Sequence, residues 1–172
     1  KFSGTRDHHQ HRVLQDWVFH ECCKLANEIK WPQQIHTGTH NLPHSNPLPL
    51  QKVAERYPRQ KLVLLHAWPF IRESGFLAKQ HPNIYLDTCW QPVLNPEYLR
   101  QALETWLGYV PADKMMMSND ATSIEMAVGA SLITKSILAD CLNNRKADFA
   151  DDALVAIAES FLSGNAVFVY AL

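Results

Sequence analysis

Four short runs, each rich in strand-forming residues and each followed by a residue with a titratable or polar side chain, constrain this chain more than any other feature. The clearest is Lys61-Leu62-Val63-Leu64-Leu65-His66, apolar without alternation, which is how a strand covered on both faces of a parallel sheet reads. Ile84-Tyr85-Leu86-Asp87 and Met115-Met116-Met117 repeat it, and Gln33-Gln34-Ile35-His36 is a weaker first instance. The segments between them are helical. From Gln10 to Lys30, Val13, Leu14, Trp17, Val18, Cys22, Leu25 and Ile29 recur at a period near 3.6, and Trp31-Pro32 ends the pattern. A short helix is predicted from Pro49 toward Arg59, stopped by Pro58, with others over Ile71 to Gln80 and Pro96 to Val110. After the fourth strand, helices are predicted over Ile124 to Asn143, Asp152 to Ser163 and from Asn165. Strand starts near 33, 62, 84 and 115 are about one βαβ unit apart. The expectation is an α/β chain with a four-stranded parallel sheet.

Charge and hydropathy remove several function classes. Sixteen basic against 17 acidic residues leave a formal net charge of −1, which gives no electrostatic footprint for nucleic acid or for an anionic membrane surface. Apolar runs such as Leu62–Leu65 and Ala166–Leu172 fall far short of the ~18 residues a membrane span needs. A soluble chain acting on a small molecule, without nucleic acid or membrane, is expected. Cys22, Cys23, Cys89 and Cys141 show no CxxC spacing, which favours reduced thiols and a cytoplasmic location. The chain opens on Lys1, so the lack of a visible leader is uninformative.

In parallel α/β folds the strands' carboxyl ends and their loops converge on one face, and chemistry collects there. His36 closes the first strand, His66 the second, and Asp120 follows the fourth in Ser118-Asn119-Asp120. The third ends in Asp87-Thr88-Cys89-Trp90, polar but less decisive. Taken singly, each has an ordinary explanation: a strand-end histidine is commonly a hydrogen-bonded structural residue, and Asp120 suits the N-cap of the next helix. Together on one face they form the imidazole and carboxylate set that binds zinc and similar divalent ions.

These residues sit in segments that resemble a known family. His36-Thr37-Gly38, Leu62-Val63-Leu64-Leu65-His66-Ala67, Pro82-Asn83-Ile84-Tyr85-Leu86-Asp87, Lys114-Met115-Met116-Met117-Ser118-Asn119-Asp120-Ala121 and Ser163-Gly164-Asn165-Ala166 are similar, in order, to the second amidohydrolase-related family, metal-dependent hydrolases and decarboxylases of the amidohydrolase superfamily. Trp68-Pro69-Phe70-Ile71-Arg72-Glu73-Ser74-Gly75-Phe76-Leu77-Ala78 looks closest to the branch fused ahead of glutamine-synthetase-like domains. A closed (β/α)8 barrel takes ~250 residues and rarely fewer than ~200. At 172 residues the chain is therefore expected to be one partial domain over 1–172, the carboxyl half of such a barrel.

The resemblance implies the site. His36, His66 and Asp120 would hold a divalent metal, expected to be zinc; Asp120 would accept a proton from the activated water, and His66 would polarise a carbonyl or complete the metal's shell. Lys1 falls where the fourth barrel strand would end. The His-x-His of the family's first strand has no counterpart strand; His9-Gln10-His11 has its spacing but enters a helix. Arg72 and Glu73, in the loop after the second strand, and His40, in the loop after the first, are candidate substrate contacts, Arg72 because a guanidinium can clamp a carboxylate. Asn119 stands where the family usually has a small residue. Hydrolysis is the expected reaction, nonoxidative decarboxylation the alternative, and an inactive fragment or interaction protein the reading outside enzymology. Open edges at the first and last strands would favour self-association, two half-barrels pairing, unless a further half of the barrel covers them.

Overall fold

The computed structural model describes residues 8–172 except His40, with side chains from His11 onward. Helix α1 (His8–Ile29) leads to β1 (Gln33–His36), α2 (Gln51–Arg56), β2 (Leu62–Leu65), α3 (Ile71–Gln80), β3 (Ile84–Asp87), α4 (Gln91–Leu94), α5 (Pro96–Trp106), β4 (Met115–Met116), α6 (Ile124–Asn143), α7 (Asp151–Glu159), a π-turn (Ser160–Gly164) and α8 (Asn165–Tyr170). The four strands form one parallel sheet in chain order, β1-β2-β3-β4. Parallel neighbours need a crossover, and the helices between the strands supply it.

Strand side chains alternate between two layers. Leu62, Leu64, Ile84, Leu86 and Met115 face the outer helices, packing with Leu77, Leu99, Leu103, Trp106 and Leu138. Val63, Leu65, Tyr85 and Met116 face the other way, where Val169, Ala166 and Tyr170 of α8 cover them. Cys89 joins this inner layer.

Local chemistry sets the helix ends. Asn95 caps α5 by accepting the Glu97 N–H, with Pro96 in the first turn. Ser123, not Asp120, caps α6 by accepting the Met126 N–H at 3.2 Å. Asn83 ties three carbonyls, those of Ala54, Tyr57 and Gln60, to the start of β3.

Two expectations are corrected. The helices read separately before and after Ser163 are joined by the π-turn into one run, Asp151–Tyr170, of 20 residues and mean hydropathy 1.5, long and apolar enough by length and composition to cross a membrane. Leu154, Phe161, Asn165 and Val169 of this run are buried against the rest of the fold. The expected symmetry of open edges also fails. Met117 N–H donates to the Phe161 carbonyl at 2.9 Å, and Asn165 Nδ2 donates to the Ala112 and Met115 carbonyls, each at 2.7 Å. The β4 edge is therefore occupied by the chain's own carboxyl-terminal run, while among the described residues β1 pairs only with β2.

Candidate functional site

The loop after each strand is held in an uncommon backbone conformation. His66, Ala67, Trp90 and Asp120 all have positive φ, 68°, 60°, 62° and 48°, a region non-glycine residues rarely occupy and one that clusters at functional sites. Gly38, at φ 66°, has no such cost, and its lack of a side chain is required: a Cβ there would meet the Trp68 carbonyl oxygen at 2.0 Å. The loops after β1 and β2 thus pack backbone to backbone, joined by Thr39 N–H to the Trp68 carbonyl at 2.9 Å. Gln91, fully buried at the start of α4, donates its side-chain amide to the His66 carbonyl.

His66 stands at the centre, fully buried, with His36 and Cys89 facing its two ring nitrogens among the described residues. Its Nε2 lies 2.9 Å from His36 Nδ1. Its Nδ1 faces Cys89, 3.2 Å from the carbonyl oxygen and 3.2 Å from Sγ. Trp90 packs beside it, ring centroids 5.4 Å apart, and the Trp90 indole N–H donates to the Asp120 carbonyl at 2.7 Å. Trp90 therefore ties the loop after β4 to the loop after β3. Asn119 anchors the same loop from its other side, its amide donating to the Ala127 carbonyl and to Ser131 Oγ of α6. That role accounts for a larger residue at this position than the resemblance implies.

Donor atoms of His66, Cys89 and Asp120 all lie within 4.8 Å of one another, two from buried residues and one from an exposed residue. Imidazole, thiol and carboxylate in that proximity fit a divalent transition metal. Beneath the cluster, the buried Asp87 carboxylate accepts the Cys89 N–H at 2.8 Å and the Ser118 hydroxyl. Burial raises the Asp87 carboxyl above its ordinary range, with the Asp120 charge adding and the two hydrogen bonds opposing. Burial, and then the neighbouring Asp87 charge, raise the Cys89 thiol far above its ordinary value.

The structure gathers some of the sequence-derived candidates and disperses others. His66 and Asp120 are brought together. His36 reaches His66 but belongs to no group of three donors among the described residues. Arg72 and Glu73 lie on the first turn of α3 and line, with Pro69, Ile71, Gln101, Glu104 and Thr105, a groove of about 580 Å³ between α3 and α5. That groove contains none of the strand-end residues. Lys1 and His40 lie outside the described residues. His9 and His11 fall on α1, not after a strand, and His20, with Nδ1 3.0 Å from the Tyr57 hydroxyl, serves packing. Cys89 and Trp90 are the residues that sequence reasoning undervalued. Their signal was the position of Asp87-Thr88-Cys89-Trp90 at a strand's carboxyl end, but the left-handed turn that aims them is a tertiary outcome.

A parallel β/α sheet with imidazole, thiol and carboxylate side chains collected at its carboxyl edge is the arrangement found in folds of the α/β-barrel class. The sequence profile of the amidohydrolase family matches residues 2–121, and the chain belongs to that family. The match ends one residue after Asp120, so the similarity at Ser163-Gly164-Asn165-Ala166 lies beyond it. Protein fluG of Emericella nidulans is 34% identical over 120 residues, 63% of this chain and 14% of that protein. A Lactobacillus casei protein assigned to the metal-dependent hydrolases superposes with a TM-score of 0.83 at 22% identity, covering 92% of this chain and 44% of that one. A uronate isomerase of Bacillus halodurans gives 0.75 at 16% identity, covering 99% and 44%. These two likenesses show the fold, the β/α architecture of TIM-type barrels. The chain spans less than half the length of each of the three proteins.

Proposed function

We propose that this chain carries the metal-binding strand ends of a metal-dependent hydrolase that acts on a small-molecule substrate, with zinc as the divalent ion. The observation that carries the reading is the gathering of His36, His66 and Asp120 at the carboxyl ends of the strands, His66 fully buried with its Nε2 2.9 Å from His36 Nδ1. His36, His66 and Asp120 would hold the ion. When bound, the ion supplies Lewis acidity, polarising an oxygen placed against it and easing proton loss from water. The exposed Asp120 carboxylate accepts that proton as general base. Trp90, by holding the Asp120 carbonyl, keeps this loop against His66, and the apolar inner layer beneath excludes bulk water.

Elemental analysis of the purified chain tests the reading: one divalent ion per chain is expected, lost in His66→Ala and Asp120→Ala. Metal-free wild-type protein under zinc-replete conditions would refute it. Amide, ester and aromatic carboxylate substrates then separate the reactions, and release of carbon dioxide without hydrolysis would replace the hydrolase by a decarboxylase.

A further inference from the structure

We infer that the loop Cys89-Trp90-Gln91 after β3 is a clamp on His66, with Gln91 as its positioning residue. The Gln91 amide holds the His66 main chain and the Cys89 carbonyl holds the ring, so that Nε2 is the nitrogen presented at the strand-end face. The inference rests on that face being a metal site, as proposed above, and adds the residue that sets how His66 enters it.

The backbone at His66 needs holding. His66 and Ala67 are the central residues of two successive three-residue turns, closed by Ala67 N–H to the Leu65 carbonyl at 2.8 Å and by Trp68 N–H to the His66 carbonyl at 2.7 Å. Both have positive φ, 68° and 60°, and tight turns of that hand are rare and strained. Such a conformation persists only where its surroundings over-determine it. Gln91 is the neighbour that reaches it. The residue is 0% exposed and donates its side-chain amide to the His66 carbonyl. Its Oε1 meets no partner among the described residues, so that one bond is what the buried amide supplies.

The ring is held from the same loop. The Cys89 carbonyl oxygen lies 3.2 Å from His66 Nδ1. A carbonyl only accepts, so Nδ1 carries the proton and the lone pair is on Nε2, the nitrogen 2.9 Å from His36 Nδ1. Donating the opposite N–H to a backbone carbonyl is how a ligating imidazole is fixed in tautomer and orientation. Trp90, at φ 62°, stands between the two contacts, and its ring packs beside the imidazole with centroids 5.4 Å apart. One three-residue loop thus grips the ring, its flank and its main chain.

Nitrogen NMR of the histidine rings in the metal-free chain, at a pH above the ordinary histidine range, reads the clamp without metal or substrate. The His66 signal is the one missing from His66→Ala. The wild type is expected to carry the His66 proton on Nδ1. Gln91→Met, which fills the same space with no donor, should move that signal toward the average of the two tautomers. It should also weaken zinc binding about ten- to a hundredfold, the effect of losing an outer-shell partner. Gln60→Met is the control, because Gln60 is also 0% exposed but gives its amide to Gln33 at the amino ends of the strands. It should leave the His66 signal and zinc binding as in the wild type. Equal changes in the two variants would reduce Gln91 to packing and overturn the proposal. So would an unaltered His66 signal in Gln91→Met, or a wild-type proton on Nε2. A wild type that binds no zinc but shows the expected ring signals would overturn the metal site and leave the clamp standing. Should Gln91→Met fail to fold, Gln91→Asn, whose amide is drawn back by one methylene, replaces it and the same outcomes decide.

Discussion

The two edges of the sheet are finished differently. At β4 the outward-facing backbone is taken up by the chain itself: Met117 N–H reaches the Phe161 carbonyl, and Asn165 holds the Met115 carbonyl. The Met116 carbonyl turns the other way, to Thr88 N–H of the neighbouring strand. At β1 nothing comparable is described on the side away from β2, and the adjoining α1 exposes Leu14, Trp17, Val18, Leu25 and Ile29. A strand edge with its hydrogen bonds already made cannot recruit another strand without losing them. The two ends of one sheet are thus unequal among the described residues, and the β1 side is where we expect association to begin.

The largest test of this inequality is a pair of aromatic truncations. Phe161 is 1% exposed and anchors the π-turn beneath β4, whereas Trp17 is 60% exposed on α1. Phe161→Ala is expected to cost about 3–5 kcal/mol, the range for removing a buried aromatic. Trp17→Ala should fall within about 0.5 kcal/mol of wild type. Denaturant midpoints measure both, and comparable losses would show that the two sides are equally packed.

Next in size is Asn165→Ala, which leaves the Ala112 and Met115 carbonyls without their donor, at a cost of about 1–3 kcal/mol. A smaller effect separates the edges by pH. Asp87 lies on the β4 side, bonded to Ser118, and its carboxyl is raised above the ordinary value of 3.8 by burial. A raised folded pKa means the native state holds the proton more tightly, so this group's contribution is greatest below about 3.8 and falls as pH rises toward the folded value. Asp87→Asn should flatten that decline, whose slope cannot exceed ~1.4 kcal/mol per pH unit for one proton. Parallel stability–pH curves for wild type and variant would remove Asp87 from the account.

Much of this was legible beforehand. Leu62 to Leu65 read as a strand covered on both faces because the apolar run is short, unalternated and bounded by polar residues, and all four are buried. The proximity of His36 to His66 and of Asp120 to His66 follows from position, since parallel topology places strand ends together. What the sequence concealed is set by the third dimension. Cys89 meets His66 across two strands, beside a left-handed Trp90, and Arg72 and Glu73 line a groove with residues of α5 instead of the strand-end face. The sealed β4 edge depends on a π-turn over Ser160–Gly164, whose register shift leaves no mark in hydrophobic periodicity.

The smallest expected effect on stability is the most direct on the comparison. Trp17→Lys places a charge on the exposed face of α1 and should change the unfolding free energy by no more than about 0.5 kcal/mol, because little packing is lost. Its effect belongs to association. If the β1 side is adhesive, wild-type chain sediments with a concentration-dependent size, and the charge shifts it toward monomer by opposing burial of the apolar face. Val155→Lys, at an equally exposed position on the carboxyl-terminal run, is the control. It should leave the association unchanged, since the edge beside it is already filled. An equal shift from both substitutions would mean that association follows exposed apolar area wherever it lies, and that the unpaired β1 backbone contributes nothing particular.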